Sequence, residues 1–263
     1  MSTSDYEPVK RLYKLGGMSE RLDCIIAMTS WKGRINSEIL RLTLFSFIKQ
    51  PKVCNFKVIL VLSTDEFPTK EAELPSELVK LMKLAPNAEL MWTSANTKAY
   101  KKYFPVARAY PDVPIITVDD DSPAKNNFMT TLWNIHIKDP DRVIYGYNHV
   151  LPGVTRNGCI DNVRYGVALF PPNSLYPLDE TFGRKFFKDM DDEFMRLLHV
   201  LKGTRYRAVD AYSVLYMQAS KQDVAMGRIM GDQWSQIPSM WNTLWKVSPE
   251  LKKIWDKNKC ISN

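Results

Sequence analysis

Short continuous apolar runs alternate along the chain with longer segments of helical spacing. "LDCIIAMTSW" (22–31), "FKVILVLS" (56–63), "AELMWTS" (88–94) and "PIITV" (114–118) predict buried strands. Between them, "EILRLTLFSFIKQ" (38–50) places Leu40, Leu44, Phe47 and Ile48 at helical intervals and stops at Pro51. "SELVKLMKLA" (76–85) puts Leu78, Leu81 and Met82 on one face, with Ser76 as its cap. "NTKAYKKYFPVARAY" (96–110) predicts a helix interrupted at Pro105. Strand followed by helix, four times over, predicts an α/β fold: a mainly parallel sheet with helices on both faces.

After residue 122 the pattern changes. "NNFMTTLWNIHI" (126–137) predicts a helix, and "RVIYGYNHVL" and "YGVALFPP" predict strands with Gly and Pro turns. "DDEFMRLLHVLKG" (191–203) predicts a helix stopped by Gly203, and "RYRAVDA" a short strand. With no linker, repeat or low-complexity tract, residues 1–263 read as a single domain. A nucleotide-type half covers 22–122 and a mixed half 123–220. The tail, 221–263, contains "DQWSQIPSMWNTLWKVSPELKKIW". It serves either as a core-packing helix or as an amphipathic edge for a membrane or partner.

Charge narrows the partners. The formal net charge is +7, which favours a nucleotide, an anionic lipid surface or an acidic polymer. No run approaches the roughly 18 apolar residues of a membrane span, and the N-terminus lacks the apolar segment of a secretory signal. Cys24, Cys54, Cys159 and Cys260 form no CxxC pair, so reduced thiols in a cytoplasmic chain are expected. No aromatic–basic signature points to nucleic acid, whose phosphates the acidic triplet of "VDDD" would repel without a metal.

In parallel sheets, ligands bind at the carboxyl ends of the strands. Thr29-Ser30, Ser63-Thr64-Asp65, Thr93-Ser94 and Asp119-Asp120-Asp121 all fall there. Three adjacent carboxylates repel one another and lose hydration when buried, so a lysine, a helix terminus or a metal ion must meet them. In an extended segment Asp119 and Asp121 point to one side and Asp120 to the other. Mg²⁺ or Mn²⁺ takes such oxygen ligands, often one or two carboxylates with substrate phosphates completing the shell. A solvated acidic turn is the alternative reading. His136 and His199 lie in helical segments without a partner at ligand spacing, and His149 lies in a loop.

"IIAMTSWKGRI", "VILVLSTDEFP", "TKAYKKYFPVARAYPDVPIITVDDDSP" and "YGVALFPPNSL", in that order, resemble bacterial glycosyltransferases of the GT-A fold. These are the family 2-like enzymes of capsule, exopolysaccharide and lipopolysaccharide clusters, and the resemblance covers roughly residues 22–205. It implies a metal-dependent, inverting transfer of a hexose from a nucleotide-sugar, foremost a UDP-sugar, to a glycan or lipid-linked acceptor. Asp119 and Asp121 would hold Mn²⁺ or Mg²⁺ at the position of the DxD motif, with Asp120 near ribose or metal. Thr29, Ser30, Trp31 and Arg34 match the block lining the nucleotide pocket; Trp31 is a base-stacking platform or a core tryptophan. Lys101 and Lys102 match a lysine-bearing helix start, offsetting the aspartates, touching a phosphate or lying on a solvated face. Asp65 stands where related enzymes place a carboxylate against the base. Gly166 would let backbone approach the sugar, or is a plain strand glycine.

An inverting reaction needs a general base for the acceptor hydroxyl. The resemblance assigns Asp192, with Asp191 in reserve, at a helix start expected to keep the carboxylate ionised. Ordinary capping acids are the alternative. Peripheral contact with an anionic inner membrane is compatible with the charge. A nucleotidyltransferase is the second enzyme reading, weakened by the single glycine of "MTSWKGR". A glycan- or nucleotide-binding protein with an inactive site is a further one.

Overall fold

The computed structural model describes residues 21–147, 166–216 and 234–259. In chain order these form β1 (Cys24–Thr29), α1 (Glu38–Ile48), β2 (Phe56–Ser63), α2 (Ser76–Leu84), β3 (Ala88–Thr93), a 3₁₀ turn (Lys98–Lys102), α3 (Phe104–Ala109) and β4 (Ile115–Val118). Next come α4 (Phe128–Lys138), β5 (Val143–Tyr147), β6 (Val167–Phe170), α5 (Glu180–Phe187), α6 (Asp191–Lys202), β7 (Tyr206–Asp210), α7 (Ala211–Val214), α8 (Ile237–Val247) and α9 (Pro249–Asn258). His149, Cys159, Cys260 and the first residue of "YGVALFPP" lie outside the described residues. Cys24 and Cys54 are free thiols, as expected. No described helix is long and apolar enough to cross a membrane.

The strands make one sheet of order β3-β2-β1-β4-β6-β5-β7. β3, β2, β1 and β4 run parallel, β6 is antiparallel to β4 and β5, and β7 is parallel to β5. The α/β class, with its parallel first half and mixed second half, is the expected one. Strand alternation explains the uninterrupted apolar run of β1. Cys24, Ile26 and Met28 enter the core beneath α1 and α2, while Ile25 and Ala27 pack against Val106 on the opposite face. A second core gathers Tyr145, Phe170, Phe187, Phe194 and Leu198 with Trp241 and Trp255. Of the two readings of the tail, α8 and α9 follow the core-packing one.

Local chemistry corrects two expectations. Pro75 precedes the first turn of α2 and Ser76 is its first residue, with no side-chain cap bond. Pro105 stands in the first turn of α3, where a missing N–H is harmless, so it starts a helix instead of interrupting one. The preceding lysines wind as a separate 3₁₀ turn. α5 is an addition that the hydrophobic pattern does not announce. Asp179 caps it by accepting from the Phe182 N–H at 3.0 Å.

β1 connects to β2 on one side, while β4 lies on its other side. The carboxyl ends of β1 and β4 therefore flank a topological switch point, the place where open α/β sheets bind ligands.

Candidate active site

The loop leaving β1 is shaped by Gly33. A Cβ at that position would stand 2.2 Å from the Trp31 ring, so only glycine lets the indole fold back over the turn. The backbone N–H groups of Arg34 and Ile35 both donate to the Trp31 carbonyl, at 2.9 and 3.0 Å. This turn directs Arg34 inward, where it is almost fully buried.

β4 ends at Val118, and the aspartates that follow lie in a turn. Strand alternation no longer applies there, so the partners of the three carboxylates set their directions. Asp120 accepts a hydrogen bond from Ser30 Oγ at 2.6 Å and another from Arg34 Nη1. The same guanidinium nitrogen donates to Asp121 Oδ2 at 3.0 Å. Asp119 pairs instead with Lys102 Nζ at 3.1 Å. Two cations of the chain itself therefore meet the triplet. Burial raises the Asp120 pKa to about 6, held back by Arg34 and by the Ser30 hydrogen bond. Burial and the neighbouring Asp119 also raise that of Asp121.

Consecutive residues of a 3₁₀ turn project about 120° apart, so the two lysines find different partners. Lys102 bridges Asp119 to Asp191 Oδ2, the latter at 3.0 Å. Lys101 is buried on the other side, donating to Glu66 Oε2 and Asn96 Oδ1, both at 2.9 Å. Glu66 also accepts from Ser63 Oγ at 3.2 Å and weakly from the Lys32 N–H at 3.4 Å. It ties the loops after β1 and β2 to the 3₁₀ turn. The adjacent Lys101 in "YKK" is the sequence signal that a carboxylate from those loops is required.

Asp191 and Asp192 open α6. Burial raises both carboxyls, Asp192 well above its ordinary value with Asp191 as the next cause, while Lys102 acts in the opposite sense. The shift runs opposite to the one expected from a helix end. Desolvation outweighs a dipole effect that is worth about 1 kcal/mol or less at ordinary sites. Tyr100 lies beside them, buried, and its hydroxyl has no hydrogen-bond partner among the described residues. The hydrophobic pattern singles out neither Tyr100 nor Glu66.

The structure thus gathers Ser30, Arg34, Lys102, Asp119, Asp120, Asp121 and Asp191 into one charge network, with Asp192 adjoining. Val118 pairs with Val167, so Gly166 stands in register beside the start of the aspartate turn. Thr29 lies outside the network, its hydroxyl donating to the Val61 carbonyl at 2.8 Å. Asp65 is also outside, accepting from the Asn96 N–H at 2.9 Å. Trp31 is partly exposed beside the loop, with its Nε1 buried and without a partner among the described residues. Among the described residues, no three His, Cys, Asp or Glu side chains gather as a metal cage.

No family model and no curated protein matches the sequence. Solved structures do align with it. S. aureus TarS 1–349 in complex with UDP aligns at a TM-score of 0.51 and 13% identity, over 86% of this chain and 72% of that one. A second S. aureus TarS structure aligns at 0.51 and 14%, over 85% of this chain and 44% of that one. The mannosyltransferase PcManGT from Pyrobaculum calidifontis, solved with GDP-Man and Mn²⁺, aligns at 0.49 and 14%, over 78% and 61%. The chain spans about three fifths of the length of several such structures, 60% to 61%. At these identities the likeness is one of fold, the mainly parallel, helix-flanked GT-A arrangement.

Proposed function

We propose that the protein is a metal-dependent, inverting glycosyltransferase. It moves a hexose from a nucleotide-sugar, foremost a UDP-sugar, to a glycan or lipid-linked acceptor in bacterial surface polysaccharide synthesis. One observation carries the reading: a carboxylate triplet at the switch point between β1 and β4 shares Lys102 with the acidic start of α6. The fold likeness to a UDP-bound protein supports it.

The residues present suit a divalent cation. Asp119 and Asp121 offer hard oxygen donors on side chains 44% and 25% exposed. Asp119, Asp120, Asp121 and Asp191 set four carboxylates against the two cations Arg34 and Lys102, leaving two negative charges when all are ionised. Asp119 and Asp121 would hold the ion. When bound, it supplies Lewis-acid stabilisation of the departing nucleoside diphosphate.

The chain's own residues do the rest. Ser30 and Arg34 fix Asp120 and thereby the shape of the aspartate turn. Asp192 takes the proton from the acceptor hydroxyl as that oxygen bonds to the anomeric carbon and the bond to the diphosphate oxygen breaks. A carboxyl whose pKa is raised by burial is a stronger base than a solvated one once ionised.

Thermal-shift titration with UDP-, GDP- and CMP-sugars, with and without Mn²⁺, tests the reading. A UDP-sugar with Mn²⁺ is expected to raise Tm by several degrees, and neither component alone to match it. Asp121→Ala leaves Arg34 paired with Asp120, so it should fold while losing at least about 10²-fold of Mn²⁺-dependent transfer. Full activity in that variant, or in excess EDTA, would refute the assignment.

A further inference from the structure

Lys102 joins two parts of the chain that are distant in sequence. Its side chain is only 8% exposed, and its ammonium lies 3.1 Å from Asp119 at the end of β4 and 3.0 Å from Asp191 at the start of α6. Met190, which precedes α6, makes no side-chain cap bond. On the sheet side the first turn of that helix is held by this shared cation and by the packing of Phe194 against Tyr100 and Phe187, while behind it Glu193 accepts from Arg196 and Trp241. An ammonium is a compact point charge with three donors, and two carboxylates already engage this one inside a low-dielectric site.

We propose that Lys102 is a positioning residue: it fixes the first turn of α6, and with it Asp192, against the end of β4, without contacting the donor. Without Lys102, Asp119 and Asp191 would face each other with no cation between them. The helix start would lose its tie to the end of β4, while the donor-side turn would stay anchored by Arg34. The proposal rests on the glycosyltransferase reading only in giving Asp192 the acceptor proton. The structural joint itself does not depend on it.

Hydrogen exchange of the ligand-free protein tests the joint directly. Lys102→Met should speed exchange of the hydrogen-bonded amides of residues 194–198 by at least about tenfold, leave β1 to β3 unchanged, and be reversed in large part by Lys102→Arg. UDP affinity at saturating Mn²⁺, measured calorimetrically, should not fall, because losing the ammonium frees the Asp119 carboxylate, while acceptor-dependent kcat falls about 10²-fold. Adding Asp191→Asn to Lys102→Met should cost little more, because both act through one contact. Unchanged exchange at the start of α6, or faster exchange across the whole sheet, would overturn the proposal. So would a tenfold or greater loss of UDP affinity with kcat retained, which would make Lys102 a donor ligand. Failure of the wild-type protein to bind any nucleotide with Mn²⁺ would sink the glycosyltransferase reading, while the exchange experiment would still decide on Lys102.

Discussion

Burial acts on His199 and Asp120 in opposite electrical senses, because each loses its charged form to the same desolvation. The His199 imidazole is almost fully buried, 2.6 Å from the Tyr145 hydroxyl through Nδ1. Burial, with the nearby Arg196 charge, lowers its pKa to about 3. Between that value and the ordinary one of 6.5, the unfolded chain binds a proton that the folded chain refuses. Stability should therefore fall as the pH drops from about 6.5 towards about 3, with a slope of up to about 1.4 kcal/mol per pH unit from this group. His199→Gln should flatten that dependence in urea denaturation at pH 4 to 6, whatever its effect on stability at pH 7. An unchanged slope would mean that His199 titrates normally in the fold.

At the level of elements, two glycines do different work. Gly203 ends α6 at φ 76, and its N–H donates to the Val200 carbonyl at 2.9 Å. A Cβ there would meet nothing closer than 3.4 Å, so Gly203→Ala should cost only the strain of a left-handed residue, about 1 kcal/mol. Gly183 lies inside α5, where an added Cβ would stand 2.5 Å from the Phe194 ring and 2.8 Å from the Tyr100 ring. Gly183→Ala should cost about 1–3 kcal/mol by overpacking despite alanine's better helix propensity. A smaller loss for Gly183→Ala than for Gly203→Ala in equilibrium unfolding would contradict this distinction.

These elements also show what a sequence makes legible. β1, β2 and β4 are buried on both faces, so their apolar runs leave little choice of structure. Gly203 carries its own stop signal. α5, "ETFGRKFF", is too short and too polar for its spacing to speak, and its cap and its glycine have meaning only against Phe194 and Tyr100. At the site, the convergence of polar strand ends is readable because topology alone produces it. The partners are not. Asp120 and Asp121 share Arg34 because a turn replaces the strand after Val118, and Lys101 and Lys102 part company because their turn is 3₁₀ rather than α.

For the molecule as a whole, the acidic start of α6 is braced from behind by the C-terminal helices. Glu193, the residue after Asp192, is fully buried, and its Oε2 accepts from Arg196 Nη2 at 2.6 Å and from Trp241 Nε1 at 3.0 Å. The Arg196 guanidinium lies 5.0 Å from the Trp241 ring and 5.5 Å from that of Trp255, so α8 and α9 close over one cation. Such a joint is stable only when complete. Glu193→Leu would remove the carboxylate that Arg196 and the Trp241 N–H share, a loss of about 3–5 kcal/mol. Tryptophan near-UV dichroism should report it together with urea denaturation. A loss below about 1 kcal/mol, with the tryptophan signal intact, would show that apolar packing alone docks the tail. Because Glu193 adjoins Asp192 on the same helix turn, that result would also remove the rear support of the proposed base, leaving Lys102 as its charged anchor.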